Sequence, residues 1–270
     1  MALQLPSHSD QVKVSFPVDH VLMLCMNRPK ALNAMSDKME HDLKTLLNWF
    51  DEEPSLWVVI VTGEGRAFCA GADLKSWNTR QQGGDQSDSE RIAASIHGFG
   101  SLSRRVTSKP IIAAVNGGVF GGGMEMVLNC DLVIASDQAV FAMPEVKRGV
   151  IAGQGAIPRI RVIAGHQLAA EMLLLGRTVG AAEAHQRFGL RLIETAVHYA
   201  KEITQNSPDA VQATKRGLIL AAQNGNIERA VIDHSWSAES KRAYNGANIK
   251  EGLKAFTEKR LPRWTNPAKL

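Results

Sequence analysis

Residues 110–125 read Pro-Ile-Ile-Ala-Ala-Val-Asn-Gly-Gly-Val-Phe-Gly-Gly-Gly-Met-Glu, and the fold is read outward from them. Pro110 opens an apolar strand, Ile111 to Val115, and the glycines after it lead into a helix that carries Glu125. Upstream, Trp57-Val-Val-Ile-Val-Thr62 is a fully apolar strand without alternation, as expected in a parallel sheet covered on both faces. Before it, Val12 to Phe16 and Val21 to Cys25 read as a hairpin. Ser36 then caps a helix whose apolar residues Met39, Leu43, Leu46, Leu47 and Phe50 recur at helical spacing until Pro54 stops it. Ile92, Ile96, Phe99, Leu102 and Val106 predict another helix. Between these, Gln81 to Glu90 is rich in Gly, Ser, Asp and Gln and reads as a surface loop placed to act as a lid.

Strand, turn and helix thus recur as β-β-α units up to about Phe141. Beyond Gly155 the spacing becomes helical, over Gln167 to Leu175, Leu192 to Ile203, Ala210 to Ala222, Ile227 to Trp236 and Ile249 to Glu258. The expectation is an α/β protein with a core over residues 1–155 and a helical region over 156–270 that closes a pocket and packs subunits together.

Composition excludes several classes. With 270 residues and 44% hydrophobic content the chain fills a sizeable core. Its 31 Lys+Arg and 27 Asp+Glu are interspersed, so the net charge of +4 marks no nucleic-acid arm, although a modest basic excess suits an anionic ligand such as a phosphorylated cofactor. Cys25, Cys69 and Cys130 are odd in number and lack Cys-x-x-Cys spacing, which argues against disulfides and zinc. No His-Glu-x-x-His or Gly-x-Ser-x-Gly occurs, and no apolar run reaches membrane-spanning length.

Chemistry concentrates in two glutamates. Glu125 follows the glycine run and Glu145 follows Met143-Pro144; two carboxyls in one pocket hold and deprotonate water while delivering a proton, if their environments separate their proton affinities. Ala70-Gly71-Ala72 is a small-residue turn that lets a ligand carbonyl approach backbone N–H groups. Taken singly, each has a plainer reading: Glu125 as a glutamate in the first turn of a helix, Glu145 as a solvated residue after a turn proline, and the glycines as close packing.

The ordered segments decide between these readings. Met26-Asn-Arg-Pro-Lys-Ala-Leu-Asn-Ala34, Phe68-Cys-Ala-Gly-Ala-Asp73, Val115-Asn-Gly-Gly118, Gly121-Gly-Gly-Met-Glu125, Cys130-Asp131, Pro144-Glu145 and Ala255-Phe-Thr-Glu-Lys-Arg260 together resemble the enoyl-CoA hydratase/isomerase, or crotonase, superfamily from about Val12 to Trp264. The resemblance implies a crotonase-like fold of stacked β-β-α units forming a superhelix, no permanently bound cofactor or metal, and coenzyme A as part of the substrate. It implies that the N–H groups of Ala72 and Gly122 bind the thioester oxygen, that Glu125 binds and activates water, and that Glu145 protonates Cα. It further implies that Gly153 contacts the acyl group, that Lys30, Ala31, Leu32, Ala70, Leu74 and Lys75 line the coenzyme A site, and that Phe256 and Lys259 reach that site from the tail, in some cases of a neighbouring subunit.

The reaction so implied is reversible addition of water to a 2-enoyl-CoA. An enoyl-CoA isomerase and an RNA-binding relative are the alternatives, and a homotrimer or dimer of trimers is the implied assembly. Two departures from the family pattern stand out: Arg191-Leu-Ile-Glu-Thr195 follows Leu190 directly, as if one short strand were missing, and Ala152 stands where many hydratases have proline.

Ala268-Lys269-Leu270 is a variant of the Ser-Lys-Leu address, so the expected compartment is the peroxisome, with the cytoplasm as the alternative. A fluorescent fusion ending in these residues is expected in peroxisomes, and its three-residue deletion in the cytosol; import unchanged by the deletion contradicts the assignment.

Overall fold

The computed structural model describes residues 3–73, 94–188, 191–192 and 196–268. The lid expected over Gln81 to Glu90, the coenzyme A contacts expected of Leu74 and Lys75, and Lys269 and Leu270 of the address lie outside the described residues.

Two sheets organise the chain. β1 (Val12–Ser15), β2 (Val21–Met26), β3 (Val58–Gly63), β5 (Ile111–Val115), β7 (Leu132–Ala135) and β10 (Arg191–Leu192) form a six-stranded sheet in the order β1-β2-β3-β5-β7-β10. β4 (Ala67–Cys69), β6 (Gly118–Phe120), β8 (Val140–Ala142) and β9 (Thr178–Gly180) form a four-stranded sheet in that order. Each successive strand pair, β3-β4, β5-β6 and β7-β8, places its first strand in the large sheet and its second in the small one. All pairings are parallel except β1 with β2 and β8 with β9.

The unbroken apolar run of β3 is explained by cover on both faces. Val59 and Val61 pack in the main core with helix α1 (Asp37–Glu52), whereas Val58 and Ile60 pack with Ala196 and Ala200 of α6 (Ala196–Thr204). Ser36 caps α1 by accepting from Met39 N–H at 3.1 Å, and Met39, Leu43, Leu46, Leu47 and Phe50 are fully buried, as their spacing predicts.

Beyond these, α2 (Gly122–Val127) follows β6, and the later part of the chain holds α3 (Ala156–Ala164), α4 (His166–Leu175), α5 (Ala181–Phe188), α7 (Pro208–Gln223), α8 (Ile227–Ser235), α9 (Ala238–Asn245) and α10 (Ala247–Thr257). α3, α5 and α9 have no counterpart in the sequence-based expectation. The later region is also not purely helical, because β9 and β10 return to pair with β8 and β7.

Two expectations are corrected. The helix predicted through Ile96, Phe99, Leu102 and Val106 is not formed there. Gly98 and Gly100 take φ of 67° and 60°, and Phe99–Ser101 makes only a 3-10 turn; Leu102 is buried but Ile96 and Val106 are 80% and 57% exposed, so the apolar spacing coincided with helical period without marking one face. Ile92 lies outside the described residues. The short strand expected to be missing after Leu190 is present as the two-residue β10, in register with Ile134 and Ala135 of β7; the helix predicted from Leu192 accordingly starts at Ala196.

Asn33 fastens the segment before α1 to the turn between β3 and β4. Its side chain is fully buried, its φ is 55°, its Oδ1 accepts from Arg28 N–H at 2.8 Å, and its Nδ2 donates to the carbonyls of Glu64 at 3.0 Å and Ala67 at 2.8 Å. Asn33→Ala removes three hydrogen bonds to main-chain groups, and at about 1 kcal/mol each it should cost roughly 3 kcal/mol, although the Ala67 carbonyl keeps Asn116 Nδ2 at 3.2 Å. Urea denaturation measures this; a loss below ~0.5 kcal/mol contradicts it.

Candidate active site

The small sheet builds the site, because the loops leaving the C-terminal ends of its neighbouring parallel strands β4, β6 and β8 lie side by side. β4 runs into Ala70-Gly71-Ala72, β6 into Gly121 and α2, and β8 into Met143-Pro144 and a 3-10 turn over Glu145–Arg148. Parallel pairing therefore brings residues 72, 122, 125 and 145 to one edge.

The backbone there is fixed by close approach. Gly71 has φ of 89°, and a side-chain carbon on it would sit 2.9 Å from the carbonyl oxygen of Phe120 and 3.4 Å from the nitrogen of Gly122, so the loops carrying Ala72 and Gly122 touch. A carbon on Gly122 would strike the Phe99 ring at 2.7 Å. Gly71 O accepts from Met35 N–H at 2.8 Å and Asp73 N–H donates to Met35 O at 3.3 Å, which pins Ala72 between two bonds and leaves its own N–H without a partner among the described residues. Gly121 N–H donates to Ala142 O at 3.1 Å, and Gly121 O accepts from Glu125 N–H at 3.1 Å; the Gly122 N–H has no partner among the described residues. Two uncommitted N–H groups on adjoining loops suit one carbonyl oxygen.

Glu125 is 4% exposed. Its Oε1 accepts from Gln154 N–H at 2.7 Å and Ala156 N–H at 3.3 Å, which orients the carboxyl and leaves Oε2 without a main-chain partner. Burial, with a smaller contribution from the charge of Glu145, raises its pKa to about 7 against the opposing pull of those two bonds and of Arg159. Burial also raises the pKa of Glu145, whose Oε2 is enclosed without a hydrogen-bond partner. Both carboxyls thus have raised proton affinity, chiefly through burial.

Two cavities meet at this edge. One, about 480 Å³, is lined by Ala72, Gly122, Glu125, Glu145, Gly153 and Gln154, with Phe99 and His97 on its wall. The other, about 530 Å³, shares Ala72, Gly122 and Glu145 and continues past Ala70 and Phe120 to the basic pair Lys147 and Arg148. A thioester whose oxygen meets the Ala72 and Gly122 N–H groups would have one cavity for its acyl chain and the other for its carrier.

Of the residues singled out in the sequence, Ala70, Ala72, Gly122, Glu125, Glu145 and Gly153 are brought together. Leu32 sits beside this group, its carbonyl accepting from Ala70 N–H at 3.0 Å, while Lys30 and Ala31 occupy the 3-10 turn Pro29–Ala31 just before it; none of the three lines either cavity. Phe256, 85% exposed, and Lys259 lie at and just beyond the end of α10 and line neither cavity. Lys147, Arg148 and Gln154 were not anticipated. The first two directly follow the Pro144-Glu145 motif, so their place beside the site was within reach of the sequence; Gln154 adjoins Gly153 and carried no motif of its own.

The model of the enoyl-CoA hydratase/isomerase family matches residues 18–267. The chain is 43% identical over 267 residues to the mevalonyl-coenzyme A hydratase sidH of Aspergillus fumigatus, covering 95% of each chain, and 34% identical over 252 residues to the mitochondrial enoyl-CoA hydratase of Pongo abelii, covering 88% of this chain and 81% of that one. The crystal structure of an enoyl-CoA hydratase from Mycobacterium tuberculosis superposes with a TM-score of 0.84 at 32% identity, over 96% of this chain and all of the other. With two sheets fed by successive strand pairs, paired glutamates at the edge of the smaller one, and a family match along nearly its whole length, the chain belongs to the enoyl-CoA hydratase/isomerase family.

Proposed function

We propose that the protein is a hydro-lyase that adds water reversibly to a 2-enoyl-CoA to give a 3-hydroxyacyl-CoA. The observation that carries this reading is the buried Glu125 and the half-buried Glu145 on one cavity beside the two uncommitted N–H groups. The thioester oxygen accepts from Ala72 and Gly122 N–H, which stabilises the enolate-like charge that develops there; one such donor is typically worth about 3 kcal/mol of barrier. Glu125, anchored through Oε1, uses Oε2 to hold a water and takes its proton as the oxygen bonds to Cβ. In this reading Glu145, which lines the same cavity, carries the proton that goes to Cα. The pair holds one proton before and after the step, on opposite members, and dehydration runs the same transfers backwards. Both glutamates at one cavity favour hydration over double-bond migration, for which one carboxyl suffices.

The acyl group is narrower than an arbitrary enoyl chain in this reading. Relatives named mevalonyl-coenzyme A hydratase, at 43% identity over nearly the full chain, support a branched, hydroxylated six-carbon acyl group as the substrate. Coenzyme A is the carrier, in the cavity past Ala70. Assembly into a trimer, or a dimer of trimers, is supported by apolar side chains left in solvent on the later helices and the tail, among them Val162, Leu174, Trp236, Leu253 and Leu261, and by Phe256 and Lys259, which would complete a neighbour's coenzyme A site. Light scattering tests the assembly: a mass near the 29.3 kDa of one chain, with full activity on dilution, contradicts it.

Glu125→Gln and Glu145→Gln are each expected to lower hydration of the enoyl thioester by at least ~100-fold with folding intact, the factor that general acid–base transfer supplies. Near-wild-type turnover by either variant removes that glutamate from the mechanism. The rate should be bell-shaped in pH, falling in acid as both carboxyls protonate and falling in alkali once the pair has lost its proton, Glu125 ionising at about 7. A flat profile from pH 6 to 9 contradicts the one-proton pair.

The same burial has a stability consequence. A carboxyl whose folded pKa is raised binds its proton more tightly in the folded state, so stability falls as pH rises from about 4.5 through 7. Glu125→Gln should therefore be more stable than wild type at pH 8, by an amount on the order of 3 kcal/mol, and show no such gain below pH 4.5. Equal or lower stability of the variant at pH 8 contradicts the burial cost.

A further inference from the structure

Gln154 stands out in the acyl cavity because its main chain is committed and its side chain is not. Its N–H donates to Glu125 Oε1 at 2.7 Å and its carbonyl accepts from Ser103 Oγ at 3.0 Å, so the residue is fastened to the water-handling carboxyl. The side-chain amide, in contrast, has no hydrogen bond among the described residues, and its Oε1 is buried without a partner. Leaving a buried amide oxygen unpaired is costly, so such a group on a cavity wall calls for a partner from the ligand.

The chemistry of that partner is constrained on three sides. It is neutral, since a carboxylate arm would meet Glu125 and Glu145, and a cation has no ionised partner in a neutral amide. It is able both to donate and to accept, because a terminal amide presents either its oxygen or its nitrogen with a half-turn. It sits in the part of the acyl group near Cβ, because the Gln154 main chain is hydrogen-bonded to the carboxyl that delivers water to that carbon and the residue lines the same cavity. A hydroxyl on a short arm meets all three conditions; an unsubstituted alkyl chain would leave the amide stranded.

We infer that the Gln154 side-chain amide is the specificity determinant for a hydroxyl carried one or two carbons beyond Cβ of the acyl group. This rests on the hydratase reading above and adds to it the residue that distinguishes a hydroxylated acyl group from a plain one.

The test compares two thioesters that differ only in that group, 5-hydroxy-3-methylpent-2-enoyl-CoA and 3-methylpent-2-enoyl-CoA, by kcat/KM for hydration with wild type, Gln154→Met and Gln154→Leu. The ratio between the two substrates is internal to each preparation, so partial loss of folded enzyme cancels. Wild type should favour the hydroxylated thioester by about tenfold, the worth of one neutral hydrogen bond, and both variants should bring the ratio to about one through loss on the hydroxylated substrate. Equal kcat/KM for the two substrates with wild type, or a preference that survives in the variants, overturns the assignment and leaves the hydratase reading standing. Hydration of neither thioester by wild type overturns both.

Discussion

Parallel pairing of β4, β6 and β8 is the constraint on which the site depends. Each of these strands has only three residues, so the sheet they make is small, yet their order places three loop exits next to one another. A one-residue slip of β8 against β6 would turn Glu145 away from Glu125, and a bulkier residue at 71 or 122 would separate the loops that present the N–H groups. The rest of the molecule holds this edge in place. α1 and α6 clamp β3 from its two faces, and Asn33 ties the segment before α1 to the turn that starts β4.

The site spends stability to gain reactivity. A carboxyl as enclosed as Glu125 costs free energy when ionised, and the two main-chain bonds on Oε1 recover only part of it, so its proton affinity moves to the range in which it exchanges protons near neutral pH. Glu145 is shifted the same way by burial, against the opposing pull of its own main-chain N–H and of Arg148. Arg159 and Arg148 pull the two proton affinities down only from a distance, whereas Arg177 and Arg187 hydrogen-bond Glu183 directly and hold it low. That difference separates a reactive carboxyl from one engaged in a surface ion-pair network.

Much of this was legible from the sequence, for physical reasons that differ by element. The helix after Ser36 was legible because cap, apolar period and terminating proline agree, and β3 because a strand covered on both faces leaves an unbroken apolar run. The glycines at 71 and 123 marked places where backbones touch. Against this, the segment 96–106 misled, because its apolar period was interrupted by Gly98 and Gly100 in conformations that a helix does not allow. β10 escaped because two residues of sheet leave no pattern, and α3, α5 and α9 are short or weakly patterned. Within the site, Glu125 and Glu145 were found from their motifs, whereas Gln154 was not, since an amide beside a glycine has no signature until its neighbours are known. Phe256 and Lys259 match a family tail, but within one chain they reach neither cavity.

The central claim is that the thioester oxygen is held by the N–H groups of Ala72 and Gly122 while the glutamate pair moves protons. Isotope-edited infrared spectroscopy of an enoyl-CoA labelled at the thioester carbonyl, bound to Glu125→Gln to prevent turnover, tests it most directly. The account predicts a carbonyl stretch at lower frequency than for the same thioester in water, since two fixed donors polarise the bond more than mobile solvent does. A stretch at or above the aqueous frequency would contradict it.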